Sequence, residues 1–377
     1  MSSIYIHIPF CERKCNYCDF YSIENHEGVQ SFLAALTSEI DLSSRYFSEE
    51  PVETIYIGGG TPSILDPEDV RKILKSVSGI GDVKPDAEVT IEVNPGTIDE
   101  QKLESYRAMG INRLSIGVQS FYQDDLRFLS RIHSVNQGED AIRMARRCGF
   151  ENISIDLIYS LPTQTVSKWK HILKRAIEFE LQHISAYSLI VEAGTPLKEM
   201  IDSNIISPVP DDIEAAMYEL TMGCLADAGY EQYEVSNYAK AGYKSRHNSN
   251  YWNHSNYLGF GPSAHSFWKN KRWWNFRDMT SYEKAISGSI LPVQESEILE
   301  TAQLLDESLM LGLRTGKLNL RAIKDRFNVE LNEQGKHYIE ELAMNGFISL
   351  NGSQIELTNS GYLISDAITE KLSTCFV

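Results

Sequence analysis

Cysteine is scarce in this chain, with 6 in 377 residues, which excludes a scaffold built on disulfides. Positive charge is short as well: 35 Lys+Arg stand against 52 Asp+Glu, a formal net charge of −17. Nucleic acid is therefore excluded as the main partner, because phosphate binding needs clustered Lys and Arg. No apolar run approaches the ~18–20 residues of a membrane span, so the chain does not read as an integral membrane protein. Its start, Met1-Ser2-Ser3-Ile4-Tyr5-Ile6-His7, lacks a basic stretch followed by an apolar run, and no signal peptide is expected. These absences predict a cytoplasmic protein with reduced thiols. What is present is ordinary for a globular protein, with 42% hydrophobic and 23% charged residues. The length suits about two domains, or one large barrel plus an appendage.

The first two-thirds alternates between short apolar or β-branched runs and longer stretches of helical spacing. Ile4–Ile8, Thr54–Ile57, Glu88–Val93, Arg113–Val118, Ile153–Tyr159 and Ile184–Leu189 read as six strands. Between them, Phe32, Leu33, Leu36 and Ile40, or Trp169, Ile172, Leu173 and Ile177, recur at helical spacing. Acidic and capping residues open several helices, as in Asp66-Pro67-Glu68-Asp69 and Thr97-Ile98-Asp99-Glu100. Strands alternating with helices predict a parallel α/β sheet with crossover helices. The runs read as apolar throughout, which predicts a sheet covered on both faces. Open or closed, such a sheet places its ligand site at the carboxyl ends of its strands.

From about Tyr230 the pattern breaks. Residues 236–282 are rich in Asn, Tyr, Trp, Ser and Gly and hold four of the five Trp, which predicts a long, partly irregular segment lying over a site. From about Glu297 three helical stretches precede two short strands, Phe347–Leu350 and Gln354–Leu357, joined by a tight Asn351-Gly352-Ser353 turn. The expected organisation is a core over 1–235, a covering segment over 236–296 and a winged-helix-like α+β domain over 297–377. Residues 298–377 carry 7 basic and 11 acidic side chains, so DNA binding by that domain is set aside.

Cys11, Cys15 and Cys18 fall within eight residues, directly after the first strand. Three thiolates on one loop can hold three corners of an iron–sulfur cluster and leave the fourth iron open to a ligand. Arg13 and Lys14 beside them should favour deprotonation. Two other uses compete. Zinc would want four ligands, with His7 available to help; a Cys15–Cys18 redox dithiol leaves Cys11 unexplained. Cys148, Cys224 and Cys375 read as inert packing thiols. After the second strand, Gly58-Gly59-Gly60-Thr61-Pro62 would let backbone N–H groups approach a ligand, although a tight turn uses the same residues. Glu92 and Asp156 are carboxylates inside strands, costly there unless partnered.

The run Tyr5-Ile6-His7-Ile8-Pro9-Phe10-Cys11-x-x-x-Cys15-x-x-Cys18 resembles the radical S-adenosylmethionine (radical SAM) superfamily. Its Tyr-Ile-His-Ile-Pro-Phe lead-in resembles the oxygen-independent coproporphyrinogen III oxidases and their relatives, the heme chaperones called HemW. The resemblance covers roughly residues 3–270 by motif and the remainder by layout. It implies an incomplete (β/α)6 TIM-like barrel. It implies a 4Fe–4S cluster on Cys11, Cys15 and Cys18 whose open iron chelates the amine and carboxylate of S-adenosylmethionine, with an electron donor as partner. Gly59, Gly60 and Thr61 then lie on the loop for the methionine amino group, and Glu92 and Gln119 contact the S-adenosylmethionine. Arg131 matches an arginine that pairs with a carboxylate, and Asp156 matches a further ligand residue. Tyr5 and Tyr17 match aromatic positions at two ligand sites; whether this chain holds one S-adenosylmethionine or two is left open.

Two departures separate the branches. The oxidases add a fourth Cys two positions after the third, where this chain has Phe20. They also carry an N-terminal extension, for which the position of Cys11 leaves no room. Conversely, Arg246-His247-Asn248-Ser249-Asn250-Tyr251-Trp252 matches the His-Asn-x-x-Tyr-Trp motif of the heme-binding HemW proteins. The resemblance makes His247 the axial heme ligand, a role suited to a neutral imidazole, with Asn248 beside it and Tyr251 and Trp252 offering flat faces to the porphyrin. An exposed histidine among stacked aromatics would look the same. His254 and His265 are alternative ligands, His265 being expected nearer the S-adenosylmethionine pocket. The resemblance thus implies a heme chaperone that delivers heme to acceptors such as respiratory-chain enzymes. A coproporphyrinogen III oxidase is the first alternative, a radical enzyme with an unrelated substrate the second.

Overall fold

The computed structural model describes residues 2–47 and 50–377. Six parallel strands lie side by side in chain order: β1 (Ser2–Ile8), β2 (Val52–Gly59), β3 (Val83–Val93), β4 (Arg113–Gln119), β5 (Asn152–Tyr159) and β6 (His183–Ser188). Each crossover carries at least one helix. Polar residues fix several helix starts. The Asp99 side chain accepts from the Lys102 N–H at 2.7 Å, and Ser134 and Gln137 close a reciprocal capping box before Val135–Arg147.

The strands are not apolar on both faces, as the sequence suggested; they alternate. Ile4, Ile6 and Ile8 of β1, Val89, Ile91 and Val93 of β3, and Ile153, Ile155 and Leu157 of β5 are buried in one core with Phe32, Leu36, Ile73 and Trp169 of the crossover helices. The intervening residues are Ser3, Tyr5 and His7, then Glu88, Thr90 and Glu92, then Ser154 and Asp156. The parallel register keeps these on one face across the strands. The alternation is hard to see in the sequence because Tyr and Thr favour strands as strongly as Ile and Val. Its physical reason is that the crossover helices cover only the outer face, whereas the inner face encloses a lumen.

Both flanks of the six strands are extended. β7 (Glu231–Gln232) and β8 (Asn237–Ala239) add antiparallel to β6. β9 (Asn256–Phe260) adds parallel to β1, and β10 (His265–Trp268), β11 (Lys271–Asn275) and β12 (Val293–Ile298) follow as an antiparallel meander. The result is an open twelve-stranded sheet, order β12-β11-β10-β9-β1-β2-β3-β4-β5-β6-β8-β7. The barrel is therefore incomplete, and it opens laterally.

The aromatic-rich stretch 236–282 is thus largely regular sheet and helix rather than the irregular cover its composition suggested. Trp268 and Trp273 pack on Tyr46, with ring centroids 5.4 and 5.6 Å away. These indoles fill core, which is the commoner use of a large aromatic.

The C-terminal part has its own core of Leu309, Leu313, Leu318, Ile323, Ile339, Leu342, Ile348 and Ile355. Its order is helix Thr301–Arg314, β13 (Lys317–Asn319), helices Leu320–Phe327 and Glu333–Met344, then the hairpin β14 (Ile348–Asn351) and β15 (Gln354–Leu357). β13, absent from the sequence reading, pairs with β15 and makes a three-stranded sheet. Among the described residues no helix is long and apolar enough to cross a membrane.

Candidate functional site

The carboxyl ends of β1–β6 surround a cavity of about 520 Å³. Cys11, Cys15, Tyr17, Cys18, Gly59, Gly60, Thr61, Glu92, Gln119, Arg131, Asp156 and Asn248 all line it. These residues span nearly 240 positions of sequence, and the parallel strands bring them to one end. Tyr5, His247, Tyr251 and Trp252 do not line it.

The cysteine loop leaves β1 and is tied back by the Cys11 N–H to Ile23 O bond at 2.9 Å. All three thiols are free, with Cys11 buried and the other two half-buried. The Thr61 hydroxyl donates to Cys11 Sγ at 3.6 Å and Arg131 Nη1 to Cys15 Sγ at 3.7 Å. Arg13 and Lys14 are exposed, and the lowering that Lys14 exerts on Cys18 is outweighed. Burial instead pushes Cys11 up and Cys18 up to about 11. Deprotonation must therefore accompany metal binding rather than precede it. Among the described residues no three His, Cys, Asp or Glu groups converge on a single metal ion, so the tight tetrahedron zinc requires is not formed. The thiols fit a cluster better, since its corners lie on separate irons.

The glycine loop is built by close approach. Gly59 has φ +107°, and a Cβ there would lie 2.7 Å from the His7 ring; a Cβ on Gly60 would lie 2.6 Å from Phe10 O. The loop N–H groups are not free for a ligand, in contrast to expectation. Gly59 N–H donates to Glu92 Oε2 at 3.2 Å, Gly60 N–H to Ile8 O at 2.7 Å and Thr61 N–H to Phe10 O at 2.7 Å. What remains to meet an ammonium is the loop's carbonyl side, the correct polarity for a methionine amino group.

Glu92 also accepts from Tyr56 Oη at 2.8 Å. Asp156 accepts from Ser115 Oγ at 3.3 Å. Arg131 donates through Nη2 to Gly117 O at 2.9 Å, its Nε is buried without a partner, and it pairs with no carboxylate among the described residues. Gln119 is buried at the end of β4 with φ +66°. This left-handed conformation is uncommon for a side-chain-bearing residue and marks a constrained site.

Burial, reinforced by the charge of Asp156, pushes the Glu92 carboxyl from its ordinary 4.5 to about 7. A carboxyl raised in the folded state stabilises through its protonated form. Its contribution is complete below 4.5 and is lost as pH rises toward 7. The buried histidines act oppositely: burial holds His7 and His133 down to about 4, so acidification below 6.5 works against folding through them. Comparing wild type with Glu92→Gln isolates the carboxyl. Between about pH 5 and 7.5 the wild type should lose roughly 2–3 kcal/mol of unfolding free energy relative to the variant. Parallel stability curves in denaturant titrations at the two pH values would refute this.

The motif helix Arg246–Trp252 closes the amino-terminal end of the lumen. Glu88 fixes its start by accepting from the Arg246 N–H at 3.1 Å and the His247 N–H at 3.0 Å. His247 is buried, not exposed. Its Nδ1 bonds Thr54 Oγ1 at 2.8 Å, its Nε2 bonds Tyr251 Oη at 2.9 Å, and its ring stacks on Tyr56 with centroids 5.0 Å apart. Both ring nitrogens are thus committed, and burial holds the ring neutral, down to about 3. As folded, His247 does not fit the axial-ligand role assigned to it. Trp252 is half-buried, with its indole N–H lacking a partner. His254 bonds Glu307 at 2.9 Å and stacks on Phe267. His265 is exposed, stacks on Trp274 with centroids 5.6 Å apart and, by register through Gly259, shares the lumen-side face with Tyr5. It does not line the cavity itself.

Tyr56, Arg113, Ser115, Ser185 and Tyr187 also line the cavity and escaped the sequence reading. Their signal was the period-two placement of polar residues in β2, β4 and β6.

A model of the radical SAM superfamily matches residues 5–176, and one of the HemN C-terminal domain matches residues 299–364. The heme chaperone HemW of Bacillus subtilis (strain 168) is 34% identical over 374 residues, 98% of both chains. HemW of Escherichia coli (strain K12) is 37% identical over 265 residues, 70% of this chain and 69% of its own. Among solved structures, the coproporphyrinogen III oxidase HemN of Escherichia coli, a radical SAM enzyme, superposes with a TM-score of 0.85 at 23% identity, over 99% of this chain and 90% of the other.

Proposed function

This chain belongs to the HemW family of the radical SAM superfamily, and from that membership we propose that it is a heme chaperone, holding a 4Fe–4S cluster and S-adenosylmethionine in its lumen and passing heme to acceptors such as respiratory-chain enzymes. The observation that carries the reading is the shared cavity: Asn248 of the heme-motif helix lines the same space as Cys11, Cys15 and Cys18.

The cluster, when bound, supplies an electron and an open iron for the ligand's amine and carboxylate. The chain's own residues do the positioning. Arg131 sets a fixed positive charge 3.7 Å from Cys15 Sγ. Glu92 and Asp156 offer acceptors for hydroxyl groups deeper in the lumen. Phe20, exposed at the cavity rim where the oxidases have a cysteine, offers an apolar face to a porphyrin. For the heme iron the open imidazole is His265, whose ring nitrogens have no hydrogen-bond partner among the described residues and whose neighbour Trp274 can stack on a macrocycle.

Anaerobically reconstituted protein titrated with heme should give a Soret shift that saturates near one heme per chain. The same protein should leave coproporphyrinogen III unchanged. Decarboxylation of coproporphyrinogen III would overturn the chaperone reading in favour of the oxidase.

A further inference from the structure

Arg113 opens β4 and is 1% exposed, yet its side chain lines the lumen. Its Nε and Nη1 are fully buried and have no hydrogen-bond partner. It makes no ion pair among the described residues. The two carboxylates that act on it are already engaged: Glu88 holds the N–H groups of Arg246 and His247, and Asp156 accepts from Ser115. Their fields keep Arg113 a cation despite burial. A guanidinium enclosed without an acceptor is among the costliest arrangements in a protein interior. This one faces a cavity rather than a packed core, so the missing acceptor belongs to whatever fills the cavity.

The neighbourhood narrows the chemistry. Of the other two arginines that line the cavity, Arg13 is exposed and Arg131 is committed to Gly117 O and Cys15 Sγ at the cysteine end. Gly117 lies four residues along β4 from Arg113, roughly 13 Å at the rise of a strand, so the lumen has a second, vacant positive end. Asn248 of the closing helix lines the same cavity, and its side-chain amide has no partner among the described residues. A planar guanidinium with two unpartnered nitrogens, on a cavity that an amide also lines, matches a carboxylate in charge and shape. We propose that Arg113, with Asn248, seats a carboxylate of the lumen's ligand and, on the heme-binding reading above, a propionate of the tetrapyrrole.

The probes are hemin and its dimethyl ester, which keeps the iron and macrocycle but lacks both negative charges. Wild type should bind hemin roughly ten- to a hundredfold more tightly than the ester, the range of a charge-assisted hydrogen bond. Arg113→Gln should erase that preference while leaving ester affinity within about twofold. Arg113→Lys, which keeps the charge but loses the fork, should retain part of it. Iron content and far-UV circular dichroism verify that both variants fold. Equal affinity of wild type for the two porphyrins, or an equal loss of both in Arg113→Gln, would overturn the assignment while leaving heme binding intact. Failure of wild type to bind either porphyrin overturns the heme reading itself, and the propionate seat with it.

Discussion

Cys15→Ala should strip the protein of its iron. The three cysteines are the only thiols at the cavity; Cys148, Cys224 and Cys375 lie elsewhere, and among the described residues no other metal-ligand group of three exists. A cluster with three thiolate corners has no spare protein ligand, and binding energy of this kind is also folding energy for the loop that supplies it. Iron in the reconstituted variant should fall from about four per chain to near zero, with loss of the brown chromophore. Cys148→Ala, Cys224→Ala and Cys375→Ala should leave it unchanged. The protein should remain folded, because the surrounding core does not depend on the loop. Iron retained at wild-type level by Cys15→Ala would refute the cluster assignment.

The histidine variants should separate structure from heme binding. His247→Ala removes a buried ring, its stack on Tyr56 and the partners of the Thr54 and Tyr251 hydroxyls. A cavity together with orphaned polar groups typically costs about 3–5 kcal/mol. For a chain of 377 residues that corresponds to a fall of about 4–6 °C in melting temperature. His265→Ala touches an exposed side chain and should change stability by less than about 0.5 kcal/mol. Its effect should fall on heme instead, as loss or displacement of the Soret shift. The reverse pattern, an altered heme spectrum in His247→Ala at unchanged melting temperature, would return the iron to His247. That outcome would require the helix to release Thr54 and Tyr251 before it binds.

Much of the frame was readable beforehand. The Gly-rich turn after β2 and the cysteines after β1 are local signals, set by spacing within a few residues. Six strands with helices between them imply where those signals meet, since parallel crossovers bring every strand's carboxyl end to one side. The polarity of the lumen was not readable in the same way. Tyr5, Tyr56 and Thr90 suit a strand by shape, and only the assembled register reveals that they share a face with Glu92 and Arg113. The flanking strands were missed for another reason. β9 pairs with β1 across about 250 residues of sequence, and no local pattern carries such a contact. The same distance hides the state of His247, whose partner Thr54 lies 193 positions away.

Twelve strands in one open sheet leave two free edges, and exposed edges invite other chains to add on. The chain answers differently at each end. β7 is two residues long, too short to template an intermolecular ladder. β12 is longer and exposed, but it carries Glu295 and Glu297 within six residues, and Glu297 is held by Arg272 at 2.8 Å. A second molecule aligning there would set carboxylates against carboxylates, so the acidic edge guards against fibrillar stacking at the place where the lateral opening exposes the sheet.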